Sequence, residues 1–188
     1  PLYRALWETV RAKEYFVITT NVDGQFRKAG LSPERIFGVQ GDYGLMQCRK
    51  PCHDSLYSNE QAVSAILPAI SIPPQLVPVC PVCGGPMDIH VRADASFIQD
   101  KAWYDMADRY ESFVSRYACR HIVFLELGVG FNTPTIIRYP FEQMTYRNPK
   151  AVLIRLNKDY PDAIAENRHR PLSFGEDVSM VIEDLEKE

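Results

Sequence analysis

The sequence lacks the features that mark membrane proteins and nucleic-acid-binding proteins. Its apolar segments are about as long as a β-strand, no run of about 18 apolar residues occurs, and the first ten residues lack the basic start and cleavage site of a signal peptide. The 21 lysines and arginines are outnumbered by 24 acidic residues, so the formal net charge is -3 and no basic excess can bind a nucleic-acid backbone or an anionic membrane. These absences predict a cytoplasmic protein whose partners are neither nucleic acids nor membranes.

Short apolar segments and helical patterns alternate along the 188 residues, of which 46% are hydrophobic and 24% charged. A chain of this size can bury one good core and carry a small appended module. The alternation predicts an α/β fold whose mostly parallel sheet is covered on both faces. The predicted strands cover residues 15–20, 35–41, 121–130 and 151–157, and the predicted helices cover residues 2–15, 96–117, 133–145 (with Pro134 near its first turn) and 177–188.

Four of the five cysteines form two close pairs in a proline-rich segment. Cys48 and Cys52 make a C-x3-C pair, and Cys80 and Cys83 make a C-x2-C pair that two glycines follow. Two thiolates from one tight turn can reach a single tetrahedral ion, and four thiolates leave no open position, so the spacing predicts a structural zinc site. Two disulfides or four buried thiols are the alternatives, and a cytoplasmic location disfavours the disulfides.

Two further side chains, His53 and Cys119, are candidates for a functional role. His53 follows Cys52 and is a candidate fifth metal ligand, but four cysteines suffice, so a solvated histidine is expected. Cys119, the odd cysteine, is expected to be a buried apolar residue rather than a nucleophile.

Polar residues follow the first predicted strand in the segment "TTNVDG". Asn21 and Asp23 are separated by one apolar residue, which leaves both on the same side of an extended backbone. Ligands of open α/β sheets bind beyond the carboxyl ends of strands, so this is a candidate binding loop, although the same residue types also build ordinary turns. A second candidate is "ELGVGFNTP", where Gly128 and Gly130 permit close approach of a phosphate or ribose.

Gln40 stands at the end of an apolar run, a few residues before the first cysteine. A glutamine side chain has no pKa in the working range, so it can orient a substrate by hydrogen bonds but cannot take or give a proton. If this region is an active site, its chemistry does not use Gln40 as a base.

The order of these features resembles the sirtuins. That family has the pattern T-Q-N-I-D-G-L-H-x-x-A-G, then H-G, then a zinc ribbon inserted in a Rossmann-like domain. The resemblance implies an α/β, Rossmann-like parallel-sheet NAD-binding domain, residues 1–44 and 93–188, with a small zinc-ribbon module inserted at residues 45–92. The residues that match in register are Thr19, Asn21, Asp23, Gly24, Ala29, Gly30 and Gly41.

Two departures from the sirtuin pattern bear on function. The family's catalytic histidine falls on Gln40, and the glutamine after its first threonine falls on Thr20. The context "VQGDYGLMQCRKPCH" is similar to the macrodomain-linked class M sirtuins of microbes, which carry glutamine here and are protein ADP-ribosyltransferases that modify a lipoylated glycine-cleavage-H-like carrier. The family's N-terminal diphosphate loop, G-A-G-x-S, is not found in these residues, so this segment alone is expected to lack part of the NAD site.

The resemblance therefore implies a protein ADP-ribosyltransferase that uses NAD and a structural zinc ion. It implies a protein substrate, with a lipoylated carrier as the example, and a macrodomain protein as a partner. A lysine deacylase that uses another base, and a non-catalytic NAD-sensing or zinc-ribbon interaction module, are the alternatives. The implied catalytic residues are Asn21, Asp23 and Gln40, and the implied NAD-binding residues are Thr19, Thr20, Asn21, Val22, Asp23, Gln40, Gly128, Gly130, Asn157, Asp159 and Val178.

Overall fold

The structure is a computed structural model that describes residues 2–66, 73–167 and 171–185. Within these ranges, no helix is both long and apolar enough to cross a membrane. The helices are α1 (Leu2–Val10), α2 (Gln25–Lys28), α3 (Glu60–Ile66), α4 (Lys101–Tyr117), α5 (Arg138–Arg147) and α6 (Val178–Leu185). The strands are β1 (Val17–Thr19), β2 (Ile36–Gly38), β3 (Gly41–Cys48), β4 (Tyr57–Ser58), β5 (Met87–Val91), β6 (Ile122–Leu127), β7 (Ala151–Leu156) and β8 (Leu172–Phe174).

Three parallel strands, in the order β6-β7-β8, form the larger part of the α/β core. The register pairs Ile122 with Ala151 and runs without a shift through six residue pairs. Parallel neighbours need a crossover connection, and α5 supplies it between β6 and β7. A buried cluster lies between the sheet and α5 and consists of Phe124, Ile137, Phe141, Ala151 and Leu153.

A second core cluster joins the first and last described helices. α1 places Leu2, Leu6 and Val10 four residues apart on one face, and this face packs with Ile182 of α6 against Leu156 of β7. The spacing of apolar residues in α1 is thus explained by burial against the parallel sheet.

A short parallel pair, β1 and β2, lies beside this core. Ile18 of β1 packs against the cluster around Phe124, while Phe37 of β2 packs edge-on against Trp103 of α4 with ring centroids 5.0 Å apart. Because β1 and β2 are parallel, their carboxyl ends lie at the same edge of the pair, which is where open α/β sheets bind their ligands.

The antiparallel sheet, in the order β4-β3-β5, carries the cysteines. β3 pairs with β5 from Gly41, opposite Val91, to Cys48, opposite Met87, with a register shift between Asp42 and Met46. One strand therefore runs from the loop after β2 to the first cysteine of the predicted zinc site.

The predicted α/β class and parallel sheet are confirmed, and several element boundaries were wrong. α5 begins at Arg138 rather than near Pro134, and its first turn contains Pro140, which is tolerated there because the first-turn N–H groups have no helical partner. α4 begins at Lys101 because the Asp100 carboxylate accepts a hydrogen bond from the Trp103 N–H at 2.8 Å. The division into residues 1–44 with 93–188 and residues 45–92 stays a prediction.

Candidate functional site

A groove opens at the carboxyl ends of β1 and β2, where the sequence predicted a binding loop. It contains both carboxylate and amide side chains beside apolar walls. The lining residues are Thr19, Asn21, Val22, Asp23, Gly24, Phe26, Arg27, Ile36, Gly38, Gly41 and Asp42. The structure therefore brings four of the implied NAD-binding residues, Thr19, Asn21, Val22 and Asp23, to one groove, while Thr20 lies half-buried between them.

Local hydrogen bonds fix the backbone of the loop after β1. The Thr19 hydroxyl accepts the Asn21 N–H at 3.0 Å, and the Asp23 carboxylate accepts the Gln25 N–H at 3.1 Å in a turn just before α2. The Asn21 side-chain amide donates to the Tyr3 hydroxyl at 3.3 Å. Because these bonds occupy only part of the polar atoms, Asn21 and Asp23 keep acceptor capacity toward the groove.

Asp42 and Arg27 are groove residues that the sequence analysis missed. The Arg27 guanidinium forms an ion pair with the Asp42 carboxylate, whose other oxygen accepts the Gly44 N–H at 2.8 Å. Asp42 is the second residue of β3, immediately after Gly41, so its place one residue beyond a glycine turn was the available signal. The groove consequently contains two carboxylates, from Asp23 and Asp42, and one guanidinium.

Gln40 lies in the turn between β2 and β3, directly before Gly41, and is not itself among the residues that line the groove. It is half-buried, and its backbone carbonyl accepts the Arg92 N–H from the strand opposite at 3.0 Å. Within the described residues, its side-chain amide makes no hydrogen bond. The backbone of Gln40 is thus anchored while its amide is available to a ligand.

The second predicted loop, after β6, joins the loop after β7. The Asn157 amide, in a residue that is only 5% exposed, donates to the Val129 carbonyl at 2.8 Å, and its oxygen accepts the N–H groups of Asp159 and Tyr160. Gly128 adopts a φ of +63°, which favours glycine, and a Cβ added there would meet nothing within 4 Å. The structure places Gly128, Asn157 and Asp159 together at one sheet edge.

The two loop regions are linked through the core. Phe26 lines the groove and also packs against the cluster that contains Leu156, the last residue of β7. Val178, the remaining implied NAD-binding residue, is half-buried and packs against the same cluster from the start of α6. At least part of the Val178 side chain is therefore committed to the core.

A buried network of four charges lies behind the loops after β6 and β7. Arg155 donates two hydrogen bonds to the Glu126 carboxylate, at 2.6 and 2.9 Å, and lies 2.8 Å from a Glu142 oxygen. Arg138 completes the network with an ion pair to Glu126 at 3.3 Å. Burial opposes the charge of Arg155, but the hydrogen bonds and attraction of Glu126 and Glu142 outweigh it and raise the pKa of Arg155. Burial and the neighbouring Arg155 lower the pKa of Arg138.

The four cysteine sulfurs of the predicted zinc site converge. All four lie within 4.8 Å of one another, with 3.7 Å between Cys48 and Cys83 and between Cys52 and Cys80. These separations are far longer than a disulfide bond, so the disulfide alternative is wrong. Burial and the neighbouring thiols raise the pKa of Cys52 to about 12, while backbone N–H groups of the knuckle lower the pKa of Cys80 to about 6. The donor set and spacing fit a structural zinc ion.

His53 and Cys119 differ from their predicted environments. His53 is half-buried rather than simply solvated, because its Nε2 lies 3.4 Å from the Cys80 sulfur and 3.3 Å from the Tyr57 hydroxyl. Cys119 is exposed rather than buried, because it lies in the turn between α4 and β6 and not within the strand.

Two curated relatives align with most of the chain. "Protein ADP-ribosyltransferase" of Staphylococcus aureus (strain Mu50) is 33% identical over 187 residues, covering 96% of this chain and 58% of the relative. "Probable bifunctional ADP-ribose hydrolase/ADP-ribosyltransferase" of Fusarium oxysporum f. sp. cubense is 33% identical over 168 residues, covering 83% of this chain and 28% of the relative. No protein-family model matches the chain. The chain thus spans less than two thirds of either relative.

Solved structures decide the fold. A Sir2 mutant with a p53 peptide and NAD superposes with a TM-score of 0.66 at 17% identity, covering 99% of this chain and 68% of that one. A structure on sirtuin substrate affinity gives a TM-score of 0.62 at 18% identity, covering 99% and 67%. The chain has the sirtuin fold. This confirms the predicted resemblance and the Rossmann-like parallel-sheet class, and the four-cysteine cluster has the donor set and spacing to hold a zinc ion.

Gly41 is a point in this sirtuin fold where a side chain cannot be accommodated. Its φ is +100°, and a Cβ there would lie 2.0 Å from the His90 carbonyl oxygen of the paired strand. We expect Gly41→Ala to lower the free energy of unfolding by at least about 2 kcal/mol, because strain and a backbone clash add together. Urea unfolding checks this against Gly130→Ala, since a Cβ at Gly130 meets nothing within 4 Å. Equal midpoints for the two variants would contradict the expectation.

Proposed function

We propose that this chain belongs to an NAD-dependent protein ADP-ribosyltransferase of the sirtuin type. The reaction breaks the bond between nicotinamide and ribose and joins the ADP-ribose to a nucleophile of a protein. The sirtuin fold supports the proposal, and so do the names of the two relatives, both of which include ADP-ribosyltransferase. NAD binding is inferred from the Sir2 neighbour solved with NAD.

The composition of the groove is the observation that carries the proposal. Its charged residues are Asp23, Asp42 and Arg27, and its described lining contains no histidine, lysine or cysteine. Gln40, at the position where the family has a catalytic histidine, cannot accept a proton. The groove is therefore equipped to stabilise a positively charged transition state with oxygen atoms, and it lacks the usual base that activates a ribose hydroxyl.

The residues of the groove, of the turn before β3 and of the loops after β6 and β7 have separate roles in the proposed reaction. As the nicotinamide leaves with the electrons of the broken bond, positive charge develops on the ribose, and the Asp23 carboxylate and nearby amide oxygens stabilise it. Val22 and Asp23 hold the carboxamide, while Asn21 orders the ribose or a nearby water. Gln40 orients the ribose or the incoming nucleophile, whose proton is lost to solvent water as the new bond forms. Gly128, Gly130, Asn157 and Asp159 receive the adenosine half.

The protein substrate belongs to the same proposal. The sequence context of Gln40 is similar to that of the class M sirtuins, so a lipoylated carrier protein is the proposed acceptor, and a macrodomain protein is the proposed partner that acts on the same modification. The Sir2 neighbours solved with p53 peptides support a protein substrate in general. The fungal relative, named as an ADP-ribose hydrolase and transferase, supports a link with removal of the modification.

The transferase proposal is tested by replacing Asn21. We expect Asn21→Ala to reduce the labelling of a lipoylated carrier from labelled NAD by about 100-fold or more, because one preorganised polar group at the reacting centre is lost. Gln143→Ala, on the exposed face of α5, is the matched control and should label at the wild-type rate. Labelling that survives in Asn21→Ala would contradict the assigned role.

A lysine deacylase is the second candidate, and Asp42 favours it. Its carboxylate lies in the groove beside Arg27 and is a group that can accept a proton. An acetylated peptide incubated with NAD distinguishes the two functions, because a deacylase releases nicotinamide only as acyl groups are removed. The deacylase becomes the better assignment if the wild type removes acetyl groups without labelling the carrier and Asp42→Asn abolishes that activity.

A further inference from the structure

Two exposed aromatic rings lie on the loops after β6 and β7. Phe131 is 49% exposed and Tyr160 is 48% exposed, and their ring centroids are 5.0 Å apart at an interplanar angle of 88°. Single exposed hydrophobic side chains are common, but these two are paired at the carboxyl ends of adjacent parallel strands, where open α/β sheets bind their ligands.

A buried arginine contacts one of the rings and the backbone of both loops. The Arg138 guanidinium carbon lies 4.6 Å from the centroid of the Phe131 ring and so covers one face of it. The same guanidinium donates to the carbonyls of Val129, at 3.2 Å, and Tyr160, at 3.0 Å. Arg138 is 5% exposed and is itself paired with Glu126, so the rings are carried by loops that the protein interior fixes.

The surface beside the rings is open and polar at its base. A Cβ added to Gly128 or Gly130 would meet nothing within 4 Å, so the loop between β6 and Phe131 leaves space against its backbone. Asn157 ties that loop to Tyr160 through its side-chain amide and oxygen. An open backbone beside two paired rings on fixed loops suits a flat heterocycle with an attached sugar.

We propose that Phe131 and Tyr160 form a stacking surface for the adenine base of a dinucleotide, and that Arg138 fixes the two loops that carry these rings. The inference rests on the proposed function, because NAD supplies the adenine. A base stacks on an aromatic ring through its π-face, and such contacts typically change affinity by about tenfold when the ring is removed. The aromatic pair thus adds two residues to those that the resemblance implied for the adenosine half.

The test measures ADP-ribose affinity by titration calorimetry in the wild type and in Phe131→Leu, Tyr160→Leu and Tyr104→Leu. Tyr104 is 53% exposed on α4 and serves as the matched control. We expect about tenfold weaker ADP-ribose binding in the Phe131 and Tyr160 variants and wild-type affinity in the Tyr104 variant. Ribose 5-phosphate, which lacks the base, should bind all four proteins equally.

Nicotinamide release from NAD by the wild type is measured separately, so the two proposals can fail independently. Weaker ADP-ribose binding in both ring variants supports the stacking surface even if no nicotinamide is released, in which case only the transferase proposal fails. Equal ADP-ribose affinity in all four proteins, or no ADP-ribose binding by the wild type, overturns the stacking surface, whether or not nicotinamide is released from NAD.

Discussion

Cys80→Ser is expected to release the zinc ion and to unfold the antiparallel sheet. Cys80 is 1% exposed, its sulfur lies 3.7 Å from that of Cys52, and its backbone closes the knuckle through hydrogen bonds with Gly84 and Gly85. Structural zinc contributes about 10–16 kcal/mol to the folding of small zinc-binding peptides, so loss of one of four thiolates removes a large part of the module's stability. Metal content by mass spectrometry and thermal unfolding by circular dichroism check this.

Cys119→Ser is the matched control for the zinc prediction. Cys119 is exposed in the turn before β6 and lies outside the four-sulfur cluster, so its variant should retain one zinc ion per chain and the wild-type unfolding temperature. If Cys80→Ser loses zinc without any change in unfolding, the metal does not hold the module together.

Zinc loss should also weaken ligand binding in the groove, because β3 connects the cysteine cluster to the groove. Cys48 ends the strand that Gly41 and Asp42 begin, and its pairing with β5 sets the position of the turn that carries Gln40. A zinc-free protein should therefore bind ligands in the groove more weakly even though no cysteine lines it. The zinc ion would then affect the reaction only by holding β3 and β5 in their paired positions.

Arg155→Met is expected to lower the free energy of unfolding by about 3–5 kcal/mol. Arg155 is fully buried and bridges the Glu126 and Glu142 carboxylates. Without it, two buried carboxylates share the single remaining guanidinium of Arg138, and an uncompensated buried charge is costly. Urea unfolding followed by circular dichroism measures the change directly.

Arg116→Met is the control for the buried network. Arg116 is exposed in the last turn of α4, so the same substitution there should change the free energy of unfolding by less than about 0.5 kcal/mol. A loss below about 1 kcal/mol in Arg155→Met would show that the two glutamates find compensation elsewhere, and the network would not be a structural requirement.

The sequence predicted the features that depend on local spacing. The C-x3-C and C-x2-C pairs predicted the cluster, because each short turn brings two thiolates within reach of one ion. Asn21 and Asp23 predicted the groove, because they directly follow a strand. The parallel sheet followed from apolar strands alternating with helices.

The sequence could not predict the features that depend on long-range pairing. Glu126 and Arg155 interrupt two apolar strands, and only the register that places them opposite each other explains why both charges are buried. Arg27 and Asp42 lie fifteen residues apart and meet only because β3 returns beside the loop after β1. The same limit hid Phe131 and Tyr160, whose loops follow different strands.

The most direct test of the central claim is a product analysis of one reaction that contains the protein, NAD, a lipoylated carrier and an acetylated peptide. We expect released nicotinamide to be matched by ADP-ribose covalently attached to the carrier, as measured by intact-protein mass spectrometry, while the peptide keeps its acetyl group. Nicotinamide matched instead by deacetylated peptide, with an unmodified carrier, would contradict the proposal that this chain, with Gln40 where sirtuins have a histidine, belongs to an enzyme that transfers ADP-ribose to protein.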